Sequence, residues 1–461
     1  MSSSTETLSG EGSPLLARRE SSITHEAFPE VEICRQPVGV TFEVIALLKH
    51  SYPGWSVALG GTTALDTLGS QAFTGSKHST DLSIHFQRCV VLLWITFIPV
   101  GIFWANSETI LLALGQDKSL SHDTQCYLRI LLLGAPGYIA FESLKKYLQC
   151  QGIMTMSTIV LAIVFPFNLF LNITFVHYTP LRLWGSAVAV SVSYWLAFVL
   201  LVLFTIYSPT HAQNKTWGGL QLRAVFDGRS CITFMKLALP GILMVGTEWA
   251  AFEIVALAAG RLGPLALAAQ SVIMTTDQIL NTIPFGIGVA ASVRVGNLIG
   301  SRDPAGAKFA GHMSAFLSVI TGFVVMVVLI LSKDVINSEV DEEEVVRLVS
   351  KVMPLVASFQ IADGLAGSCG GVLRGQGRQH LGALFNIIAY YVLALPMGIC
   401  LAFRYDLGLE GLWIGQVVAL FIVGLGEYTV VWFGTDWEKE VQKGIDRNAR
   451  EAVNQGYAMF E

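Results

Sequence analysis

The chain has 461 residues, of which 53% are hydrophobic and only 14% are charged. Soluble globular domains carry about 25% charged residues, and the mean hydropathy of +0.57 excludes an ordinary soluble protein. The net charge of −5 says little by itself, and no nucleic-acid partner is expected. The composition therefore predicts a protein whose main solvent is the lipid bilayer.

The N-terminal segment, 1–42, is polar and rich in Ser and Glu, which predicts a disordered cytoplasmic tail and not a signal peptide. Within this tail, Glu11, Leu15 and Leu16 resemble an acidic dileucine sorting signal, although such strings also occur by chance. We take these three residues as a candidate binding site for an adaptor protein.

Ten apolar stretches are long enough to cross about 30 Å of hydrocarbon as helices of about 20 residues. Only helices and closed barrels satisfy their backbone hydrogen bonds in lipid, and runs of this length are helices. An eleventh stretch, residues 53–73, is less apolar. The fold class predicted from this pattern is an all-α polytopic membrane protein. The ten stretches are residues 86–106, 126–148, 155–178, 183–207, 235–260, 268–290, 309–332, 346–372, 382–403 and 409–433.

Lys and Arg are concentrated in every second connection between these stretches. Lys77, Lys146 and Arg223 belong to the basic set, whereas the connection at 333–347 carries an acidic run. The positive-inside rule places the basic connections and the C-terminus in the cytoplasm. We expect the N-terminus there as well, and a vacuolar or plasma membrane as the location.

Three landmarks recur at a nearly constant offset and indicate an internal repeat. Gly75 matches Gly300, and the pair Gln151 and Gly152 matches Gln376 and Gly377 at the same offset. Gly185 matches Gly411 at an offset that is longer by a single position. The repeat predicts an N-terminal lobe at 43–207, a cytoplasmic linker at 208–230, a C-terminal lobe at 231–436 and a cytoplasmic tail at 437–461.

One landmark breaks the repeat, because Pro53 matches Pro240 at a much shorter offset than the other three. By the repeat, a segment of about 38 positions is absent between Pro53 and Gly75, which predicts ten full helices and a remnant of the first and second. The remnant would lie at the interface, re-enter the membrane or turn the N-terminus outward. A mis-spliced or mis-annotated transcript explains the gap more simply than an evolved design, and a lobe that lacks this hairpin leaves faces unpacked.

Acidic residues inside the predicted spans are the main candidates for function, since each costs about 2.5–3.5 kcal/mol at a helix centre. The functional interpretation is that protons and a cationic substrate compete for these carboxylates, whereas the structural one is that they only fix packing. We expect no Lys or Arg deep in the spans to neutralise them, which favours function. Asp66 and Glu142 remain open, because Lys145 lies one turn from Glu142. The favoured candidates are Glu248, Glu253, Asp277 and Asp363.

Aromatic and amide side chains accompany these acids, and aromatic rings beside carboxylates suit organic cations. The alternative is that the aromatic residues form belts at the membrane surface, which fits poorly for residues in the middle of a helix. The candidate substrate-binding residues of this type are Trp249, Gln278, Tyr390 and Tyr391.

The sequence contains no motif for ATP binding, for zinc-dependent catalysis or for a catalytic nucleophile. There is no phosphate-binding loop for ATP, no H-E-x-x-H zinc motif and no nucleophile elbow, and the seven cysteines have no C-x-x-C spacing. We therefore predict a protein that is not an enzyme, that needs no cofactor or metal, and that is driven by an ion gradient.

Several strings in a fixed order resemble the eukaryotic multidrug and toxic compound extrusion (MATE) family, and its fungal branch most closely. The resemblance covers roughly residues 43–440 apart from the missing hairpin. The strings are Ala64-Leu-Asp-Thr-Leu-Gly-Ser-Gln-Ala72, Gly134-Ala-Pro-Gly137, Gln149-Cys-Gln-Gly152, Pro284-Phe-Gly286, Ala290-Ala-Ser-Val-Arg-Val-Gly-Asn297, Gly370-Gly-Val-Leu-Arg-Gly-Gln-Gly377, Tyr390-Tyr-Val-Leu-Ala-Leu-Pro396 and Gly411-Leu-Trp413.

The resemblance implies twelve helices in two six-helix lobes around a cleft that opens alternately to each side. It also implies exchange of an organic cation or metabolite for protons or sodium. Glu248 and Glu253 match family acids on the seventh helix, and Asp363 matches one on the tenth. The matching position on the eighth helix is Thr275, so Asp277 is the candidate substitute there.

The resulting hypothesis is a proton-coupled antiporter that exports or sequesters organic cations, drugs or toxic metabolites. One alternative is a transport-defective variant, because of the missing hairpin. Another is a flippase of lipid-linked glycan from a related superfamily, although such proteins usually have cationic clefts and none is expected here.

Overall fold

The computed structural model describes residues 52–113, 118–338 and 343–455, which are almost entirely helical and contain no strand. The predicted all-α polytopic fold is confirmed. The proposed sorting signal at Glu11, Leu15 and Leu16 lies outside the described residues, and so does the predicted N-terminal tail.

Sixteen α-helices and one π-helix account for nearly all of the described chain. In the first half these are α1 (Tyr52–Gly75), α2 (Asp81–Ala105), α3 (Ser107–Ala113), α4 (Lys118–Cys150), α5 (Thr155–His177), α6 (Leu183–Ile206), α7 (Pro209–Asn214) and α8 (Leu222–Val225). In the second half they are α9 (Gly228–Leu262), α10 (Pro264–Gly300), α11 (Pro304–Ser338), α12 (Glu343–Gln376), α13 (Gln379–Asn386), the π-helix (Ile387–Ala394), α14 (Leu395–Phe403), α15 (Gly408–Trp432) and α16 (Trp437–Asn454).

Nine spans within the described ranges are long and apolar enough to cross a membrane. They coincide with nine of the ten predicted stretches, and α13, the π-helix and α14 together form one of them. The remaining stretch, 126–148, lies in α4, a helix of 33 residues that carries Glu142, Lys145 and Lys146 near its end. These three charges lower the hydropathy of α4 without shortening it.

The predicted remnant is a continuous helix, α1, of 24 residues. At 1.5 Å per residue it is about 36 Å long, which is enough to cross the hydrocarbon of a bilayer. Its residues from Gly60 to Ala72 are buried among α2, α4, α9 and α10. The segment is thus one continuous, buried helix, and its position relative to the membrane stays a prediction.

Helix α9 is shared between two helix bundles. We call α1, α2, α4, α5 and α6 the first bundle, and α9 to α15 with the π-helix the second bundle. Phe234 and Ala238 of α9 belong to a hydrophobic cluster of the first bundle, whereas Ala251 and Val255 belong to the main cluster of the second. The start of α9 thus covers part of the face that was expected to be unpacked.

The two bundles meet at the end of the molecule that carries α16, which we call the α16 end. A Cβ atom added to Gly75 would lie 2.6 Å from the carbonyl oxygen of Gly300, so only glycine permits this approach of α1 and α10. Arg447 of α16 donates to Gln71 Oε1 of the first bundle at 2.7 Å and to the Gln376 carbonyl of the second at 2.8 Å. Helix α16 therefore joins the bundles and holds this end closed.

Candidate functional site

Three predicted acids come together inside the second bundle. Glu248 of α9 is half-buried, while Asp277 of α10 and Asp363 of α12 are buried. Asp363 interacts electrostatically with both of the other carboxyls, and Glu248 interacts with Asp277. Three helices that are distant in sequence thus place three like-charged groups within range of each other.

The hydrogen-bond partners of the two buried acids are carboxamides, each on the opposite helix. Gln360 Nε2 of α12 donates to Asp277 Oδ1 at 2.7 Å, and Asn281 Nδ2 of α10 donates to Asp363 Oδ2 at 2.7 Å. A carboxamide can donate to a carboxylate, and after turning over it can accept from a protonated carboxyl. Gln360 Oε1 has no hydrogen-bond partner within the described ranges. This arrangement can therefore host either protonation state of Asp277.

Aromatic rings line the second bundle beside the acids. The rings of Phe252 and Tyr390 are 6.3 Å apart, those of Phe252 and Phe359 are 5.9 Å apart, and those of Phe359 and Trp413 are 5.8 Å apart. Tyr390 lies in the π-helix and is fully buried. Insertions of this kind in a helix are frequent at functional sites. The four rings therefore form a connected row, and Tyr390 in this row interacts electrostatically with Glu248, Asp277 and Asp363.

The other predicted site residues are not all part of this arrangement. Glu253 and Trp249 are half-buried on α9, and Gln278 is exposed. The hydroxyl of Tyr391 donates to the Thr247 carbonyl at 2.9 Å, which ties the π-helix to α9. Tyr391 therefore has a structural contact of its own, and a role in substrate binding stays a prediction for all four residues.

Asp66 and Glu142, the two candidate acids of the first bundle, are paired with lysines. Lys146 Nζ is 2.8 Å and 3.1 Å from the two carboxylate oxygens of Asp66, and Lys145 Nζ is 2.6 Å from Glu142 Oε1. The second bundle also reaches Asp66, since Arg374 Nε of α12 is 3.6 Å from Asp66 Oδ2. The sequence left open whether Asp66 and Glu142 serve function or structure. In the structure each of them forms an ion pair with a lysine.

Lys146 and Arg374 correct the expectation that no Lys or Arg lies deep in the spans. Their exposed fractions are only 6% and 8%. Both residues are near the ends of α4 and α12, and helical side chains point back toward the N-terminus of their own helix. Their long side chains therefore carry the charge into the protein from positions that look peripheral in the sequence.

Sequence reasoning missed Glu427 of α15. This residue is fully buried, and within the described part of the chain neither carboxylate oxygen has a hydrogen-bond partner. The signal that could have identified it is an acid inside the predicted span 409–433. Among the described residues no cluster of His, Cys, Asp and Glu has an arrangement that could hold a metal ion.

Comparison with known proteins identifies the family. The family model MatE matches residues 47–174 and 240–400. The chain belongs to the MATE family. It is 38% identical over 392 residues to the uncharacterized transporter C4B3.13 of Schizosaccharomyces pombe, a match that covers 84% of this chain and 71% of that protein. It is 34% identical over 408 residues to multidrug and toxin extrusion protein 1 of Danio rerio, covering 87% of this chain and 67% of that protein.

The solved structures agree with the sequence comparison. The crystal structure of the eukaryotic MATE transporter AtDTX14 superposes with a TM-score of 0.80 at 28% identity, covering 89% of this chain and 94% of that one. The predicted family is confirmed, as is the expectation of a membrane transporter and not an enzyme.

Proposed function

We propose that this MATE protein exchanges protons for an organic cation at Glu248, Asp277 and Asp363, in the plasma membrane or the vacuolar membrane. The observation that carries the proposal is the pairing of the two buried acids with carboxamides and not with cations. A carboxyl that has no fixed cation can bind a proton or a cationic substrate, and the two compete for the same charge.

The exchange needs two states of the same carboxyls. With protons bound, the three acids are neutral and do not repel one another. When the acids release protons to water, the negative charge that remains attracts an organic cation, whose apolar part packs on the rings of Phe252 and Tyr390. Alternating access follows if protonation and substrate favour opposite orientations of the bundles, because a ligand shifts an equilibrium only through its differential affinity.

The remaining predicted residues extend this site along α9 and the π-helix. Glu253 supplies a fourth carboxyl five positions after Glu248, and Trp249 and Tyr391 supply aromatic surface. Gln278 is exposed beside Asp277 and offers a polar contact to a larger substrate. We propose these four residues as determinants of substrate choice and not as the core of the exchange.

We further propose that the α16 end faces the cytoplasm. Arg88, Arg447 and the basic connections lie at this end, which agrees with the positive-inside rule. The molecule is closed at that end, so it corresponds to a state in which the site is shut off from the cytoplasm.

The test is uptake of ethidium by vesicles that contain the full-length purified chain. With an acidic vesicle interior, protons leaving the vesicles should drive ethidium inward, and Asp363→Asn should abolish this uptake. Lys351→Met, which removes an exposed cation from α12, is the matched control and should leave uptake unchanged.

Two results would contradict the proposal. A folded protein that takes up ethidium in response to an imposed sodium gradient but not a pH gradient would refute proton coupling. The second result is uptake that appears only after the missing segment between Pro53 and Gly75 is restored. In that case other members of the family would carry out the exchange, and this chain would not.

A further inference from the structure

Glu427 occupies a space that two glycines and a methionine create. A Cβ atom added to Gly382 would lie 3.0 Å from Glu427 Oε1, and one added to Gly370 would lie 3.3 Å from Oε2. The side chain of Met244 lies against the same two positions. The carboxyl group is thus enclosed by α9, α12, α13 and α15 in a small, mostly apolar space.

This enclosure contains no hydrogen-bond donor to the carboxyl among the described residues. A buried carboxylate without a donor or a cation in contact is costly, so the geometry fits the neutral, protonated acid. The charged and titratable groups that act on Glu427 from the surrounding elements are Arg374 and Cys369 of α12, Glu248 of α9 and Tyr390 of the π-helix.

Arg374 is the only cation in that set, and its own pairing is incomplete. Its Nε atom is 3.6 Å from Asp66 Oδ2, beyond hydrogen-bond distance, and has no acceptor within the described ranges. Asp66 is already bound by Lys146 at 2.8 Å. Two cations therefore share one carboxylate at the contact between the bundles.

Arg374 interacts electrostatically with both Asp66 and Glu427. It is one helical turn from Gly370, the residue against which the Glu427 carboxyl lies. Its Nη2 atom would be 3.5 Å from a Cβ atom on Gly288 of α10, so the guanidinium reaches back into the second bundle. A loosely paired cation and a buried acid thus lie on neighbouring faces of α12 and α15.

We propose that Glu427 is a second proton-binding site and that its proton controls the contact between the two bundles. When Glu427 is protonated, Arg374 stays beside Asp66 and the bundles remain together. When Glu427 releases its proton to water, the carboxylate draws the Arg374 guanidinium toward the second bundle, and Asp66 keeps only Lys146. This inference rests on the proposed function for its role in transport, since it supplies the step that links proton binding to the movement of the bundles.

The test measures the separation of the bundles at the α16 end as a function of pH. Spin labels are placed at Thr155→Cys and Ser301→Cys, two exposed positions at that end, in full-length protein in nanodiscs with Cys34, Cys126, Cys231 and Cys400 replaced by Ser. Pulsed electron paramagnetic resonance should show the distance shift to longer values as the pH rises. Glu427→Gln should remove this shift, and Glu142→Gln, which changes a buried acid of the first bundle, should retain it.

A Glu427→Gln protein that shows the same pH-dependent shift would overturn the proposal. If that variant does not fold, Glu427→Asp keeps a carboxyl but moves it by one methylene, so the pH midpoint of the shift must change, and an unchanged midpoint would overturn the proposal as well. Ethidium uptake by sealed vesicles that contain the same variants separates the two hypotheses. Loss of exchange with the Glu427-dependent shift intact would refute the proposed function alone, whereas intact exchange without that shift would refute only this inference.

Discussion

The acids deep inside the helices have different partners in the two bundles. In the first bundle Asp66 and Glu142 are each within 2.8 Å of a lysine nitrogen. In the second bundle Asp277 and Asp363 are bonded to carboxamides, and Glu427 has no hydrogen-bond partner in the part of the chain that the structure describes. The comparison suggests that acids of one bundle hold the structure together, whereas those of the other remain available to protons and cations.

The largest expected effect is the loss of a first-bundle ion pair. Removing one partner of a buried pair costs about 3–5 kcal/mol when the remaining charge is uncompensated. Arg374 remains 3.6 Å from Asp66, so Lys146→Met should lower the free energy of unfolding by up to about that amount. Thermal unfolding in detergent measures the change. Lys351→Met, whose lysine is 67% exposed, should change stability by less than about 1 kcal/mol. Equal effects of the two variants would contradict the structural role of Lys146.

A smaller effect is expected for Glu451→Gln in α16. Glu451 lies 2.8 Å from the buried guanidinium of Arg88, which also donates to the Ala224 carbonyl at 2.7 Å. The variant should cost about 1–3 kcal/mol in the same unfolding measurement, because one partner of a charge-assisted bond is lost.

The same variant has a pH signature. Burial raises the pKa of Glu451, but its interactions with His85 and Arg88 and its side-chain hydrogen bonds outweigh burial and hold that pKa below its usual range. A lowered pKa contributes stability that is fully present above about pH 5 and is lost as the pH falls through the lowered value. Wild type and Glu451→Gln should therefore differ by a constant amount above that pH and converge in stronger acid. A difference that grows on acidification would contradict the ion pair.

A neutral hydrogen bond in the second bundle is expected to contribute less. Trp413 Nε1 donates to Gln270 Oε1 at 2.8 Å, and both residues are buried. Trp413→Phe should cost about 1 kcal/mol from this bond, together with a small packing loss, in thermal unfolding. Trp432→Phe alters a tryptophan that is 45% exposed and should leave the free energy of unfolding almost unchanged. A larger loss of stability for Trp432→Phe than for Trp413→Phe would contradict this prediction.

The smallest effect on stability should come from Asp363→Asn. Its new carboxamide oxygen can still accept from Asn281 Nδ2, and no ion pair of Asp363 is lost among the described residues, so we expect a change below about 1 kcal/mol. Asp66→Asn is the matched change in the first bundle and should cost at least about 3 kcal/mol. If Asp66→Asn and Asp363→Asn lower the free energy of unfolding equally, the proposed difference between the acids of the two bundles is wrong.

The sequence predicted the family, the spans and the three acids Glu248, Asp277 and Asp363 of the second bundle, but not Glu427, because long apolar runs and acids within them have few alternative explanations. It did not predict the positions of Lys146 and Arg374, because a long side chain carries its charge about one helical turn away from its backbone. The sharing of α9 between two hydrophobic clusters was also not predictable. The packing of α9 depends on which helix face the absent hairpin leaves uncovered. The hydrophobic periodicity of a single helix does not show which face that is.

The hydrogen-bond partners of the acids could not be predicted from the sequence. Gln360 and Asn281 stand out in the sequence as amides within spans, yet their bonds to Asp277 and Asp363 depend on the relative depth of α10 and α12. The environment of Glu427 depends on four elements whose glycines and Met244 enclose it. The roles of Glu253, Trp249, Gln278 and Tyr391 stay predictions.

Proton counting on cation binding tests the exchange at the second-bundle acids most directly. Tetraphenylphosphonium is added to the purified full-length protein in weakly buffered nanodiscs, and the released protons are measured with a pH indicator while binding is followed by equilibrium dialysis. We predict proton release on binding for wild type and for Lys351→Met, and a clear loss of release for Asp363→Asn. Binding of the cation without proton release, or equal release from Asp363→Asn, would contradict the account.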